Sequence, residues 1–158
     1  MAVVVRAYVA LGANLGDAQG YVRAAMDQVA RLPQTQLVAA SSLYRTAPMD
    51  SSGPDYINAV MAVDTGLTAA ELLQAMQQIE LQAGRERPYR NAPRTLDLDL
   101  LMYGELVQED AALTLPHPRM FQRAFVLVPL HEIAPERVTA EQLEAVADQG
   151  IVRIDEAR

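Results

Sequence analysis

The order of strand-like and helix-like segments constrains the fold of this chain more than any other feature of its sequence. Segments rich in valine or with alternating apolar residues favour strands, whereas apolar residues at helical spacing after a capping residue favour helices. The strands are predicted at Val3 to Leu11, Thr35 to Tyr44, Tyr56 to Thr65 and Thr95 to Tyr103, and the helices from Asp17 to Leu32 and from Thr68 to Gly84. This β-α-β-β-α-β order predicts an α+β, ferredoxin-like core, a mainly antiparallel sheet with helices packed on one face.

The rest of the chain predicts a small C-terminal extension of this core. A short hairpin is expected after Tyr103, and the later elements are predicted as a strand at Phe125 to Leu130, a helix at Thr139 to Ala147 and a strand at Ile151 to Ile154. The length of 158 residues suits one hydrophobic core. Residues 1–158 are therefore predicted to form a single domain.

Composition excludes several classes of function. The chain has no cysteine, and all 13 of its basic residues are arginines. Disulfides, thiolate chemistry, Schiff-base chemistry and a Walker-type phosphate loop are thereby excluded. The net charge of −7 argues against a general nucleic-acid-binding protein. Because no apolar run is long enough for a transmembrane helix and no basic leader precedes the first strand, we expect a cytoplasmic protein without membrane contacts.

The strand predicted at Thr95 to Tyr103 carries two carboxylates. Successive side chains of a strand point to opposite faces, so the alternating leucines are expected to face the core, and Asp97 and Asp99 the other side. Such a pair suits Mg²⁺, which binds one or two carboxylates together with substrate phosphates. Two ions about 3.5–4 Å apart would clamp the attacking and leaving oxygens of a phosphoryl transfer. The alternative is an amphipathic strand whose aspartates face solvent.

Arginines are concentrated around this strand, although the protein as a whole is acidic. They are Arg85, Arg87, Arg90, Arg94, Arg119 and Arg123. The planar guanidinium binds phosphate oxygens in pairs and stays charged, so the cluster indicates a small polyanion such as a triphosphate. His117 lies between two prolines and could donate to a phosphate as well. The alternatives are a solvated charged loop and a structural histidine.

Two aromatic residues each lie next to a segment that is expected to form a functional loop. Tyr56 and Phe125 each begin an apolar segment, and aromatic pairs can enclose a flat heterocycle between their rings. Asn58 shares a strand face with Tyr56, and its amide could read the donor and acceptor edge of such a ring. Ordinary core packing is the alternative for both aromatic side chains.

Several short motifs occur in order along nearly the whole chain. They are Gly12 to Gly16, Ser42 to Pro48, Pro54 to Ala59, Ile79-Glu80 with Gly84-Arg85, the block Arg90 to Leu101, Pro116 to Met120 and Arg123 to Val126. Together they resemble the motifs of the 6-hydroxymethyl-7,8-dihydropterin pyrophosphokinase family, and the block Arg90 to Leu101 resembles the family signature.

The resemblance implies a role for each residue that matches a family motif. It implies catalytic roles for Arg85, Arg94, Asp97 and Asp99, with Asp97 and Asp99 holding two Mg²⁺ ions. It implies ATP binding by Leu73, Gln77, Glu80, Arg87, Arg90, Leu100, Thr114, His117 and Arg123. It implies pterin binding by Thr46, Met49, Tyr56, Asn58 and Phe125, with the two aromatic rings stacking on the pterin.

The resemblance also implies a reaction in folate biosynthesis. The β,γ-pyrophosphate of ATP would move to the hydroxymethyl oxygen of the pterin, with release of AMP. The expected partners are these two small molecules, with no nucleic acid or membrane, and a monomer is expected. Two long loops, Thr46 to Asp55 and Gly84 to Pro93, are expected to close over the site. Family members often carry tryptophan where this chain has Asn91, and some carry tyrosine where it has Pro118, so closure is expected to be weaker here.

Two other interpretations stay open on the residues alone. Another magnesium-dependent phosphotransferase or nucleotidyltransferase would also explain the aspartates and arginines, but not the set of Tyr56, Asn58 and Phe125. A ferredoxin-like nucleic-acid-binding module is the non-enzymatic alternative. The acidic net charge and the content of only 6 tyrosines and 2 phenylalanines argue against it.

Overall fold

The computed structural model describes residues 4–14, 16–47, 54–84 and 96–154. The strands are β1 (Val5–Ala13), β2 (Thr35–Ala40), β3 (Tyr44–Thr46), β4 (Tyr56–Thr65), β5 (Asp97–Tyr103), β6 (Gln108–Glu109), β7 (Thr114–Leu115) and β8 (Val152–Arg153). The helices are α1 (Ala18–Ala30), α2 (Ala69–Gly84), α3 (Ala124–Ile133) and α4 (Ala140–Ala145), with short 3-10 turns at Met120–Gln122 and Pro135–Arg137. Within these ranges, no helix combines the length and apolar character that crossing a bilayer requires.

The main sheet is antiparallel and has β1 and β4 at its centre. Its strand order is β5-β1-β4-β3-β8, and β2 also pairs with β4. If β2 and β3 are counted as one interrupted strand, the predicted core strands lie in the order fourth, first, third, second, as in a ferredoxin-like sheet. The predicted α+β fold is therefore confirmed, and β6 and β7 form the expected short hairpin.

The two helices of the predicted core, α1 and α2, pack on one face of the sheet as expected, and α3 of the C-terminal extension covers the opposite face. The face toward α1 and α2 is an apolar core to which β1 contributes Val9 and Leu11, and α2 contributes Leu72 and Met76. The opposite face packs against α3, with Val60 of β4 in that second core. The central strand β4 is apolar on both faces for this reason, since each face is covered.

The segment predicted as one strand from Thr35 to Tyr44 is divided into β2 and β3. The interruption follows from side-chain bonds that replace the regular ladder. The Ser41 hydroxyl accepts the N–H of Val60 at 3.0 Å, and the backbone N–H of Ser42 donates to the Glu132 carboxylate at 3.0 Å. The chain therefore pairs with β4 in two short runs.

The strand predicted at Phe125 to Leu130 is wrong, because these residues lie in α3. The run is almost wholly apolar, and periodicity alone does not distinguish a buried helix from a buried strand. Val126, Leu127 and Leu130 are all at most 2% exposed, which explains why the helix lacks a polar stripe. Three helix starts were in contrast predicted correctly from capping residues. Their bonds join Asp17 to Gly20, Thr68 to Glu71 and Thr139 to Gln142.

Candidate active site

The two predicted carboxylates lie on β5, on the face of the sheet that packs against α3. Leu98 and Leu100 are buried in the core toward α1 and α2, as expected, whereas Asp97 and Asp99 alternate with them and are half-buried. Across the ladder on β1, Asp97 pairs with a glycine and Asp99 with an alanine. These small neighbours leave room above the sheet for a ligand that both carboxylates can reach.

His117 lies beside Asp99, with 3.8 Å between its Nε2 and the Asp99 Oδ1. The backbone N–H of Arg119 donates to the Nδ1 of His117 at 3.2 Å, so the proton of the neutral ring is on Nε2. Burial lowers the pKa of His117; nearby Asp99 opposes this shift, and the charges of Arg123 and Arg119 add to it. The ring is therefore neutral near pH 7 and offers one N–H toward Asp99.

A cleft of about 260 Å³ runs along the outer edge of β5, between α2 and the β6–β7 hairpin. The predicted site residues that line it are Leu73, Asp99, Leu100, Thr114 and His117. Of the two other predicted α2 residues, Glu80 accepts the backbone N–H of Leu98 at 2.7 Å, and Gln77 is exposed. The cleft thus joins the acidic strand, the histidine and an apolar wall from α2.

The sequence interpretation missed several residues of this cleft. They are Leu98, Asp110, Ala111, Ala112, Leu113 and Pro118. Asp110 shapes the hairpin, because its Oδ1 accepts the backbone N–H groups of Ala112 and Leu113 at 2.9 and 2.8 Å. An aspartate followed by small residues between two short strands is a turn signal that sequence reasoning could have used.

A second group of predicted residues lies at the β3 and β4 end of the same sheet face. Asn58 is only 5% exposed, and its Nδ2 donates to the Thr46 hydroxyl at 2.8 Å. Its Oδ1 lies over Gly12 of β1, where a Cβ atom would come within 2.9 Å of it. Tyr56 is half-buried and shares the strand face of Asn58, since the two are separated by one residue of β4.

The start of α3 carries the other two predicted ligand-binding residues. Arg123 precedes the helix and Phe125 lies in its first turn. The guanidinium carbon of Arg123 is 5.3 Å from the centre of the Phe125 ring, a cation–π contact. Phe125 thus lies in the helix that covers the sheet face carrying Asn58 and Tyr56, and stacking of the two rings on a ligand stays a prediction.

Five of the predicted site residues lie outside the described residues. They are Met49, Arg85, Arg87, Arg90 and Arg94. Most of the two loops expected to close over the site is also outside the described ranges. In the part of the chain that the structure describes, no group of three or more metal-ligating side chains comes together.

Comparison with known proteins leads to the same family by a family model and by individual relatives. A family model described as 7,8-dihydro-6-hydroxymethylpterin-pyrophosphokinase matches residues 8–135. A 2-amino-4-hydroxy-6-hydroxymethyldihydropteridine pyrophosphokinase of Pseudomonas aeruginosa is 44% identical over 96% of this chain and 98% of its own length. Its namesake in Bacillus subtilis is 40% identical over 94% of this chain and 89% of its own length.

A solved structure supports the fold independently. A crystal structure of Plasmodium falciparum HPPK-DHPS with pterin and p-hydroxybenzoate matches 93% of this chain with a TM-score of 0.68. This chain spans 44% of that longer protein, and at 13% identity the likeness bears on the fold alone. By the family match and the near full-length relatives, this chain belongs to the 7,8-dihydro-6-hydroxymethylpterin-pyrophosphokinase family.

Proposed function

We propose that this chain is a pyrophosphokinase of folate biosynthesis. It transfers pyrophosphate from ATP to the hydroxymethyl group of 6-hydroxymethyl-7,8-dihydropterin and releases AMP. The observation that carries the proposal is the cleft along β5, where Asp99 and His117 meet in a chain of this family. Residues 1–158 act as one domain and one monomer in this proposal, in the cytoplasm, where ATP is available.

The cleft is the ATP side of the site. Its apolar wall, with Leu73 and Leu100, suits a nucleotide base, and Thr114 adds a hydroxyl. The Nε2–H of His117 donates to a phosphate oxygen, and Arg123 adds positive charge. Pyrophosphoryl transfer depends on alignment and on neutralising charge more than on covalent chemistry with the protein. The remaining ATP-side residues in this proposal are Gln77, Glu80, Arg85, Arg87, Arg90 and Arg94, of which Arg85 and Arg94 act on the transferring group.

Asp97 and Asp99 would hold Mg²⁺, and we propose two ions. Both are half-buried carboxylates on one strand face, opposite residues with little or no side chain. When bound, such ions neutralise the phosphate charge and orient the attacking and leaving oxygens. The aspartates thereby also fix the end of the cleft at which the pterin hydroxyl must arrive.

The pterin side is formed by β3, β4 and the start of α3. Asn58 donates one amide hydrogen to Thr46, which fixes the orientation of its amide and leaves Oδ1 as an acceptor above Gly12. The N–H groups of a pterin ring can donate hydrogen bonds to this oxygen. Tyr56 and Phe125 stack on the ring in this proposal, and Met49 completes the pocket.

One assay tests the proposal against the alternative transferases. The protein is incubated with ATP, Mg²⁺ and 6-hydroxymethyl-7,8-dihydropterin, and the nucleotide products are separated by chromatography. AMP and the pterin pyrophosphate should form in equal amounts. Omission of the pterin should abolish AMP release. Formation of ADP or free pyrophosphate instead would assign the chain to another class of phosphotransferase.

A further inference from the structure

A glutamine from the C-terminal segment bridges the two peptide groups on either side of Arg123. The Oε1 of Gln149 accepts the backbone N–H of Ala124 at 2.9 Å. Its Nε2 donates to the backbone carbonyl of Gln122, also at 2.9 Å. Both ends of one side-chain amide are thus used within the turn that leads into α3. Gln149 lies beyond residue 135, where the match to the family model ends.

The start of α3 needs this contact because its own capping residue does not supply one. Arg123 is the N-cap of α3 and makes no side-chain capping bond. Ala124 is 2% exposed, so water does not satisfy its N–H. Gln149 accepts that hydrogen from a position 25 residues further along the chain. It therefore accepts, from outside the helix, one of the N–H groups that the first turn of α3 leaves without an intrahelical partner.

Gln149 is itself held by buried neighbours. Its backbone N–H donates to the carbonyl of Val146 at 3.0 Å, and Val146 is 3% exposed in the core against α3. Ile151, two residues after Gln149, packs against the same core. A side chain anchored on both sides in this way has few alternative positions, so it can fix the turn that it contacts.

We propose that Gln149 is a positioning residue for the reaction. By fixing the peptide groups around Arg123, it directs the guanidinium toward the triphosphate and the Phe125 ring toward the pterin. The inference rests on the proposed function, in which these two residues contact the two substrates. Groups held a small distance from their productive position lose much of their effect, so loss of the bridge weakens both contacts together.

Replacement of Gln149 by methionine tests the inference, because methionine matches the length of glutamine but forms neither hydrogen bond. We expect the KM values for ATP and for the pterin both to rise by about five- to tenfold, with a smaller change in kcat. Gln149→Glu keeps an acceptor for the Ala124 N–H and should recover part of the loss. All variants are compared at a temperature where circular dichroism shows them fully folded.

Gln142→Met is the matched control. Gln142 lies in the same C-terminal segment and accepts the backbone N–H of Thr139 at 2.9 Å at the start of α4. Its loss should lower the thermal midpoint but change neither KM by more than about twofold, since α4 carries no proposed substrate contact. Equal KM changes in the Gln149 and Gln142 variants would overturn the positioning role, because both changes would then reflect a general loss of rigidity in the C-terminal segment.

Amide hydrogen exchange provides a readout that does not depend on turnover. In Gln149→Met, a peptide that covers residues 122–128 should exchange faster than in the wild-type protein, while peptides of β1 and β4 stay unchanged. Unchanged exchange in residues 122–128 would show that Gln149 does not hold the turn before α3. A wild-type protein that forms no AMP would instead overturn the proposed function, and the exchange result would still decide whether Gln149 holds the turn.

Discussion

On the face of the sheet covered by α1 and α2, the contacts are apolar and come from residues at regular strand or helix spacing. Val9 and Leu11 of β1 and Leu72 and Met76 of α2 belong to one core there, and all are at most 2% exposed. On the face covered by α3, polar side chains join segments that are distant in sequence. Ser42 binds Glu132 at a separation of 90 residues. The two aspartates, the proposed pterin side and the start of α3 lie on this second face, whereas Leu73 and Leu100 in the wall of the proposed ATP cleft belong to the first.

The difference shows how one small sheet separates stability from function. Apolar burial on the α1 and α2 face is non-directional, and its contribution scales with the apolar area removed from water. Polar contacts on the α3 face have strict geometry, and a buried polar group that loses its partner is costly. We therefore expect substitutions of buried residues away from the cleft on the first face to change stability alone, and substitutions of the proposed site residues on the second face to change the reaction.

The largest expected effect is on turnover. Asp97→Asn or Asp99→Asn should lower kcat by about 10³-fold, because each variant removes one of the two carboxylates available for Mg²⁺. The thermal midpoint measured without metal should be unchanged or higher, since like-charge repulsion on β5 decreases.

The control for the aspartates is Asp64→Asn, which removes a carboxylate from the opposite end of β4. Asp64 pairs with Arg6 at 2.6 Å on the surface, so its loss should cost at most about 1 kcal/mol of stability and no activity. Near-normal turnover in either β5 variant would remove the metal assignment. A large loss of turnover in Asp64→Asn would show that turnover depends on negative charge in general and not on the β5 aspartates in particular.

The second prediction concerns the apolar face. Leu72→Ala should lower the free energy of unfolding by about 3 kcal/mol, because Leu72 is 0% exposed and its loss leaves a cavity. KM values per folded molecule should stay within about twofold. Leu81→Ala on the same helix is the control, since Leu81 is 61% exposed and should cost under about 0.5 kcal/mol. Urea denaturation and steady-state kinetics on the same samples measure both quantities.

The apolar face was predicted more completely than the site face, because its sequence signals come from residues that lie close together in the chain. The caps at Asp17 and Thr68 and the alternation around Asp97 and Asp99 are set by residues within a few positions, so pattern reasoning found them. The helical state of α3 was missed, because its apolar run has no exposed stripe to mark a helical period.

Within the site, the long-range polar contacts were not predictable from local patterns. Glu132 and Gln149 are ordinary polar residues in the sequence, and their importance depends on Ser42 and Ala124, which only the fold brings near. The approach of His117 to Asp99 likewise depends on the course of the chain after β5. Roles for Asp99 and His117 were expected from their residue types and from the family resemblance, whereas no role was expected for Glu132 or Gln149.

The third prediction concerns Glu132, which links α3 to the start of β3. Its carboxylate accepts the Ser42 N–H at 3.0 Å and the Tyr44 hydroxyl at 2.6 Å. Burial alone would raise the pKa of Glu132, but the hydrogen bonds from Tyr44 and Ser42 outweigh it and lower the pKa. Glu132→Gln should therefore reduce the free energy of unfolding at pH 7 by about 1 kcal/mol.

The lowered pKa of Glu132 determines how the stability difference between wild type and Glu132→Gln changes with pH. A carboxyl with a lowered pKa stabilises the fold above its unfolded pKa, and this contribution is lost as the pH falls through the folded pKa. The difference between wild type and Glu132→Gln should thus be complete above pH 4.5, the ordinary glutamate value, and shrink below it. Glu136→Gln, an exposed change shortly after α3, is the control. A difference that stays constant to pH 3 would contradict the ionic contribution.

The smallest predicted effect concerns one backbone position of β1 on the face covered by α3. Gly12 lies under Asn58, and a Cβ atom there would come within 2.9 Å of the Asn58 Oδ1. Gly12→Ala should therefore displace the amide by a few tenths of an ångström and weaken its bond to Thr46. We expect the KM for the pterin to rise by about threefold, with the KM for ATP and the thermal midpoint nearly unchanged.

Gly150→Ala is the control for Gly12→Ala, because no atom lies within 4 Å of the Cβ position at Gly150. It should leave both KM values unchanged, so that a pterin-specific rise in Gly12→Ala reflects the contact with Asn58 and not the loss of a glycine as such. Asn58→Ala then completes a double-substitution cycle. If Asn58 transmits the effect, adding Gly12→Ala to Asn58→Ala should have no further consequence for the pterin KM. Additive effects would mean that Gly12 acts on the site by another route, such as the spacing between β1 and the aspartates of β5.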